Sequence, residues 1–377
     1  MRPLWLVGFR PFFPLAGISA ALLPLIWVLL LTGTLTSSPS IPMLNWHAHE
    51  MFFGFGMAVL GGFLLTATKN WVQVRGHHGL ALQLLVAAWL LERVAMWWGA
   101  AWPRPLFLLA SHLFLGTLIL LLLWTLIRHR ATDTYKDNFV FVLVLPIFFV
   151  AKALLLHEPT FALGRELTIG LFRVAFLVML ERTIPPFMKG AFQLTLRKVF
   201  AVDTSIKALG VLLLLGPWLP ALPRTVICVV LAALLLTRLA YWSPHRALTR
   251  LDTAVMYLGS AALAGQLLVD AFSATWVGTL SVHLFTFGTM GLIIPAMITR
   301  IAKGHTGRPV AFDLFDKTAI VLMMVGFLAR VVAPQFFPAE YRTWVWIAAG
   351  CWSACFALIT ARITPLVLRP RVDGKEH

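Results

Sequence analysis

Charge is scarce in this chain, and negative charge scarcest. Only 12% of the 377 residues are Asp, Glu, Lys or Arg, and just 15 are acidic against 31 basic. An ordinary soluble domain carries about 25% charged residues, so with 60% hydrophobic residues a soluble globular fold is excluded. Cysteine is nearly missing too. Cys228, Cys351 and Cys355 are too few for a disulfide framework, and the i,i+4 pair Cys351/Cys355 reads as small buried apolar residues rather than a soft copper site. The chain has no Walker or Rossmann glycine motif, no C-x-x-C-H and no recognisable nucleophile triad.

What the sequence has in abundance is long apolar runs. Twelve recur, near 11–34, 47–68, 79–99, 105–127, 138–157, 164–187, 201–219, 222–241, 251–271, 276–299, 314–334 and 342–365. Each matches the roughly 20 residues that an α-helix needs to cross about 30 Å of hydrocarbon. The reading is an all-α, polytopic membrane bundle of about twelve helices, forming a single transmembrane domain over 1–377. The first run lacks a small-residue cleavage site and does not read as a cleaved signal peptide.

The net charge of +16 invites a nucleic-acid reading, which the placement of the charges removes. Connections on one side carry Lys69, Arg75, Arg128, Arg130, Lys136, Lys189, Arg197, Lys198, Arg246, Arg250, Lys303 and Arg308, with Arg2, Arg10, Arg369, Arg371 and Lys375 near the termini. The other side carries only Arg104, Arg165, Arg224 and Arg342. That is the positive-inside pattern, so both termini are expected in the cytoplasm. The partner is a lipid bilayer, not nucleic acid.

This orientation puts NWHAHEMFFGF, residues 45–55, at the outer end of the second helix. His47 and Glu50 share one helical face, and His49 lies on another, about 200° from His47. A bland reading makes this an interfacial cap, with Trp46 as anchor and His47 and Glu50 solvated. Yet Glu92, Arg93, His112, Lys152, His157, His283 and Arg330 all fall in the same outer half of the bilayer. Ionisable groups inside a membrane are costly, which makes them candidates for function, and histidine is the commonest metal ligand.

One pattern repeats. His49 to Gly54 and His283 to Gly288 both read H-x-x-x-F-G, on helices running the same way. The pair suits two axial haem ligands, or one haem ligand and one ligand to a neighbouring metal. His49 and His283 therefore lead as iron ligands. His47 and Glu50 are candidates for proton delivery or a second metal, with His112 a further metal candidate. Trp46, Arg93 and Arg330 have the chemistry to hold haem propionates. On the inner side, Gly304-His-Thr-Gly-Arg-Pro309 reads as a tight basic loop suited to an anion or to holding neighbouring loops in place. In the sixth helix, Glu181 and Arg182 precede Pro185-Pro186, a pair expected to break the helix.

Five segments carry a resemblance: GFRPFF at 8–13, WHAHEMFFGFG at 46–56, GGFLLTATKNW at 61–71, ERTIPPF at 181–187 and HLFTFGTMGLIIPAMITRIAKGHTGRP at 283–309. Together they resemble the NnrS family, bacterial twelve-helix membrane proteins of the nitric oxide response reported to contain haem and copper. The resemblance implies an inner-membrane protein acting on nitric oxide, with haem b and copper or another second metal as cofactors. The expected activity is reduction of NO to nitrous oxide, with a quinol or other electron donor. A haem-based NO sensor or buffer is the alternative. A metal or small-solute permease is a third reading, disfavoured because the charged residues form no continuous transmembrane file.

Overall fold

The computed structural model describes residues 2–272 and 275–375. Among them are twelve long helices and no strand. They are α1 (Phe9–Leu31), α2 (Met43–Trp71), α3 (Leu80–Ala101), α4 (Arg104–Arg128), α5 (Lys136–Leu156), α6 (Phe161–Phe192), α7 (Phe200–Trp218), α8 (Ala221–Tyr241), α9 (Leu251–Ala271), α10 (Leu280–His305), α11 (Leu314–Phe336) and α12 (Pro338–Val367). All except α6 are long and apolar enough to cross a membrane. Arg165, Glu166, Arg173, Glu181, Arg182 and Lys189 dilute the apolar character of α6, which is still 32 residues long. This is a multi-pass, all-helical membrane protein. Leucine, tryptophan and phenylalanine side chains that are more than 60% exposed, such as Leu120, Trp124 and Phe200, are as expected for helices solvated by lipid.

The expected break at Pro185-Pro186 does not occur. α6 continues through both prolines to Phe192. Each proline removes one intrahelical N–H donor and crowds the carbonyl one turn earlier, yet in a 32-residue helix the remaining hydrogen bonds carry the chain onward.

The helices divide between two compact units. The first comprises Met1–Thr168, Ile298–Ala311 and Phe356–His377; the second comprises Ile169–Met297 and Phe312–Cys355. In the first unit α1 lies along α2, where the Phe9 amide donates to Thr66 Oγ1 at 2.9 Å. α3 packs on α4, and the start of α2 packs on α5, where Asn45 Nδ2 donates to Leu155 O at 3.0 Å. In the second unit α9 packs against both α8 and α10, and Thr289 Oγ1 donates to Gly259 O at 3.1 Å.

Three of the eleven apolar spans are more than half buried: α2, α10 and α9, the last at 61%. The first, α2, buries 83% of its hydrophobic stretch and α10 buries 67%, against 28% for α8. The two most buried of these spans, α2 and α10, carry H-x-x-x-F-G.

Candidate functional site

The repeated pattern has a backbone counterpart. Immediately after His49, residues Glu50–Gly56 form a π-helical stretch, and immediately after His283, Leu284–Gly291 form another. A third, Leu328–Val332, contains Arg330. A π-helical turn inserts an extra residue into the α-helical ladder and redirects the side chains around it, and such turns gather at functional sites. Each of the three holds or borders a residue that the sequence had nominated.

In the first unit, α2, α3 and α5 bring five ionisable side chains together. His49 is fully buried, and Glu50, Glu92 and Lys152 are at most 2% exposed. The His49 ring is held from both sides. Nδ1 lies 3.0 Å from Glu50 Oε1 and Nε2 lies 3.0 Å from Glu92 Oε1. Lys152 Nζ donates to the same Glu92 oxygen. Arg93 spans both acids, with Nε 3.3 Å from Glu50 Oε2 and Nη2 3.3 Å from Glu92 Oε1.

Aromatic and backbone groups fix this arrangement. The Arg93 guanidinium lies over Trp89, whose indole N–H donates to Gly54 O at 3.0 Å. Lys152 lies over Phe53, and the His49 ring stacks near the same phenylalanine. Gly54 lets Arg93 approach closely: a Cβ there would come within 2.2 Å of Arg93 Nη1 and 3.1 Å of Glu50 Oε2, so the guanidinium would have to move. The glycine of the first H-x-x-x-F-G therefore makes room for an arginine.

Charge counting defines what the cluster can do. Glu50 and Glu92 as carboxylates balance Arg93 and Lys152. Ionised carboxylates only accept hydrogen bonds, so an imidazole set between two carboxyl groups is placed to hold a proton or hand it to either one. Moving that proton to either acid gives a neutral ring with the same hydrogen-bond framework. The chemistry is that of one mobile proton shared by three groups in a low-dielectric setting. Glu92 Oε2, also buried, accepts no hydrogen bond, which leaves one carboxylate lone-pair edge for a proton or a polar reactant.

The other nominated residues have different settings. The His47 ring stacks on Trp27 at 4.1 Å, and Glu50, expected on its face, is joined to His49. Trp46 is 2% exposed and packs edge-on to Trp97 in a core with Leu23, Leu30 and Met96. His112 Nδ1 lies 3.0 Å from Leu108 O and 2.9 Å from Ser111 Oγ. In the second unit, His283 Nδ1 lies 3.0 Å from Thr279 O and 2.8 Å from Thr279 Oγ1. Arg330 lies over the Tyr341 ring. Cys355 is buried, and among the described residues no three His, Cys, Asp or Glu side chains converge as a metal ion requires.

Sequence reasoning undervalued two participants and missed a second polar group. Glu92 and Lys152 were visible as intramembrane charges, but nothing in their spacing tied them to His49, since contacts between α2, α3 and α5 arise only on folding. In the second unit, Arg173 of α6 donates to Gln266 Oε1 at 3.1 Å and lies 3.8 Å from Asp270 Oδ2. Gln266 and Ser281 both donate to Asp270. The rule that intramembrane charge needs a partner would have flagged Arg173 and Asp270.

A family profile described as NnrS protein covers residues 3–371, nearly the whole chain. No curated protein matches it.

Proposed function

The chain belongs to the NnrS family, which suggests a role in the nitric oxide response, and from that premise we propose that it reduces NO to nitrous oxide in the bacterial inner membrane. The observation that carries this reading is the buried His49, held at 3.0 Å by Glu50 on one side and Glu92 on the other. Joining two NO molecules into nitrous oxide and water consumes two electrons and two protons. NO itself is small and uncharged, reaches the site through lipid, and needs no polar channel. Protons do need one, and a proton-holding cluster inside an apolar protein answers that need.

In this reading the chain's own groups divide the work. His49 holds the proton. Glu50 accepts it from the end of the membrane where α2 begins, the periplasmic side by the positive-inside pattern. Glu92 passes it on through Oε2, the oxygen left without a hydrogen bond. Lys152 and Arg93 supply the positive charge that faces the two acids.

The histidines differ in how they suit a haem iron. A carbonyl oxygen only accepts, so the Nδ1 atoms of His283 and His112, each 3.0 Å from a carbonyl, are the donor nitrogens. Nε2 is then the lone-pair nitrogen, the tautomer typical of a metal-ligating imidazole oriented by its backbone. His49 has a carboxylate on each nitrogen and suits proton transfer better than ligation. His283 is accordingly the residue that would hold the iron, with His112 second. Haem held there by His283 would supply the redox chemistry for NO, with a quinol-class electron donor. A copper site has no comparable donor set among the described residues, and no step is assigned to it.

Absorption spectra of the purified protein, oxidised, reduced and with NO, test the division of roles. His283→Ala is expected to lose or shift the Soret band, whereas His49→Gln keeps it. A wild-type spectrum in His283→Ala together with haem loss in His49→Gln would reverse the assignment.

A further inference from the structure

Another buried cation lies outside the His49 cluster. Arg10, in the first turn of α1, is fully buried. Its Nη1 donates to Val367 O at 2.7 Å and to Arg369 O at 2.9 Å, tying α1 to the end of α12. Nε and Nη2 of the same guanidinium are buried with no hydrogen-bond partner. Those two nitrogens form one edge of the planar group, the edge whose parallel N–H bonds match two oxygens of a phosphate or carboxylate. Buried polar groups are nearly always paired, and an unpaired cationic edge is among the costliest to leave so.

The surroundings are positive. Arg308 and Arg371 lie within electrostatic reach of Arg10. Nη1 of Arg308 is likewise buried without a hydrogen-bond partner. Arg371 is already committed, with Nε 2.8 Å and Nη2 2.5 Å from the Asp373 carboxylate and Nη1 3.0 Å from His305 O. Three guanidiniums against one carboxylate leave two positive charges. Backbone geometry fixes the loop against the C-terminal tail. Gly307 takes φ +78°, a Cβ on it would meet the Asp373 carboxylate at 2.9 Å, and Val372 N donates to Thr306 O at 3.1 Å. The G-H-T-G-R segment thus docks the C-terminal tail and carries Arg308, which lies within electrostatic reach of Arg10.

We propose that Arg10 and Arg308, with Arg371 behind them, form a binding site for a phosphate oxyanion where α1, α10 and α12 end. The open edge of Arg10 takes two oxygens and Arg308 takes a third. A phosphate carries one or two negative charges and matches the excess. Helix ends of a membrane protein lie at the depth of lipid headgroups, so the phosphate is either that of a phospholipid or free inorganic phosphate; the recognition chemistry is the same. The site lies in the first unit but shares no residue with the His49 cluster, and it stands whether or not the protein reduces NO.

Thermal unfolding of the delipidated protein in detergent, with inorganic phosphate against chloride at matched ionic strength, tests the site directly. Native mass spectrometry of the protein before delipidation reads out retained phospholipid. The variants are Arg308→Gln, which leaves the carbonyl contacts of Arg10 intact, and Arg10→Lys, which keeps the charge and loses the edge. Wild type is expected to gain melting temperature with phosphate, to retain phospholipid, or both, and Arg308→Gln should bind at least about tenfold more weakly, the worth of one charge-assisted hydrogen bond. Retained phospholipid lost in Arg308→Gln assigns the phosphate to lipid; stabilisation by inorganic phosphate alone assigns it to the free ion. Should wild type show neither response, or should Arg308→Gln respond as wild type does, there is no phosphate site.

Discussion

His49 and Glu92, 43 residues apart in the chain, meet at 3.0 Å with neither exposed to solvent. The contact joins α2 to α3, and Lys152 brings α5 to the same carboxylate. Its consequences for stability, chemistry and pH can be measured separately.

Removing one partner of a buried ion pair leaves the other uncompensated. Lys152→Met is therefore expected to destabilise the protein by about 3–5 kcal/mol. The double variant Lys152→Met/Glu92→Gln should lose less than the sum of the two single variants, because the stranded charge is gone. Reversible unfolding in mixed micelles supplies the values. Strict additivity would mean that the two side chains do not interact.

Gly54→Ala places a methyl group where Arg93 Nη1 now lies. The expected cost is about 1–3 kcal/mol, the range for an overpacked site, with a parallel fall in NO turnover as Arg93 leaves Glu50. The shortest contact is with the arginine, so Gly54→Ala should cost less in the Arg93→Ala background than in the wild type. An equal cost in both backgrounds would locate the strain elsewhere.

Much of this architecture was legible in the sequence because membrane insertion is a local test. A run of about 20 apolar residues crosses the bilayer whatever its neighbours do, and the twelve runs correspond to the twelve helices, α6 included. The H-x-x-x-F-G echo was legible as a pattern, but its physical meaning was not. A π-helical turn depends on how the ladder accommodates neighbours, and helical-wheel geometry at 100° per residue put Glu50 beside His47 when it joins His49. The cluster itself was half visible. His49, Glu50 and Arg93 were nominated by type and depth, while the roles of Glu92 and Lys152 required knowing which helices touch. At Pro185-Pro186 a local rule lost to a long helix.

The loop between α2 and α3 carries a pH-sensitive contact. His77 Nε2 donates to Leu121 O at 3.2 Å and lies 2.9 Å from Thr125 Oγ1. Burial lowers the pKa of His77 below its ordinary 6.5; the Leu121 hydrogen bond opposes this in part and His78 adds to it. Between the folded value and 6.5 the folded protein binds fewer protons than the unfolded chain. The contribution is thus complete above 6.5 and declines as pH falls through that window. Nitrogen-15 NMR of labelled histidine should show a predominantly neutral His77 ring at pH 6.5; a midpoint at or above 6.5 would contradict the sign.

Steady-state nitrous oxide production tests the central claim most directly. The purified protein, reduced and given excess NO without oxygen, is expected to release many equivalents of nitrous oxide per protein. His49→Gln and Glu92→Gln should keep the haem spectrum and NO binding, yet lose at least about a hundredfold in rate, within the range contributed by a positioned acid–base group. Wild-type protein that binds NO without releasing nitrous oxide, or variants that turn over at the wild-type rate, would contradict the account.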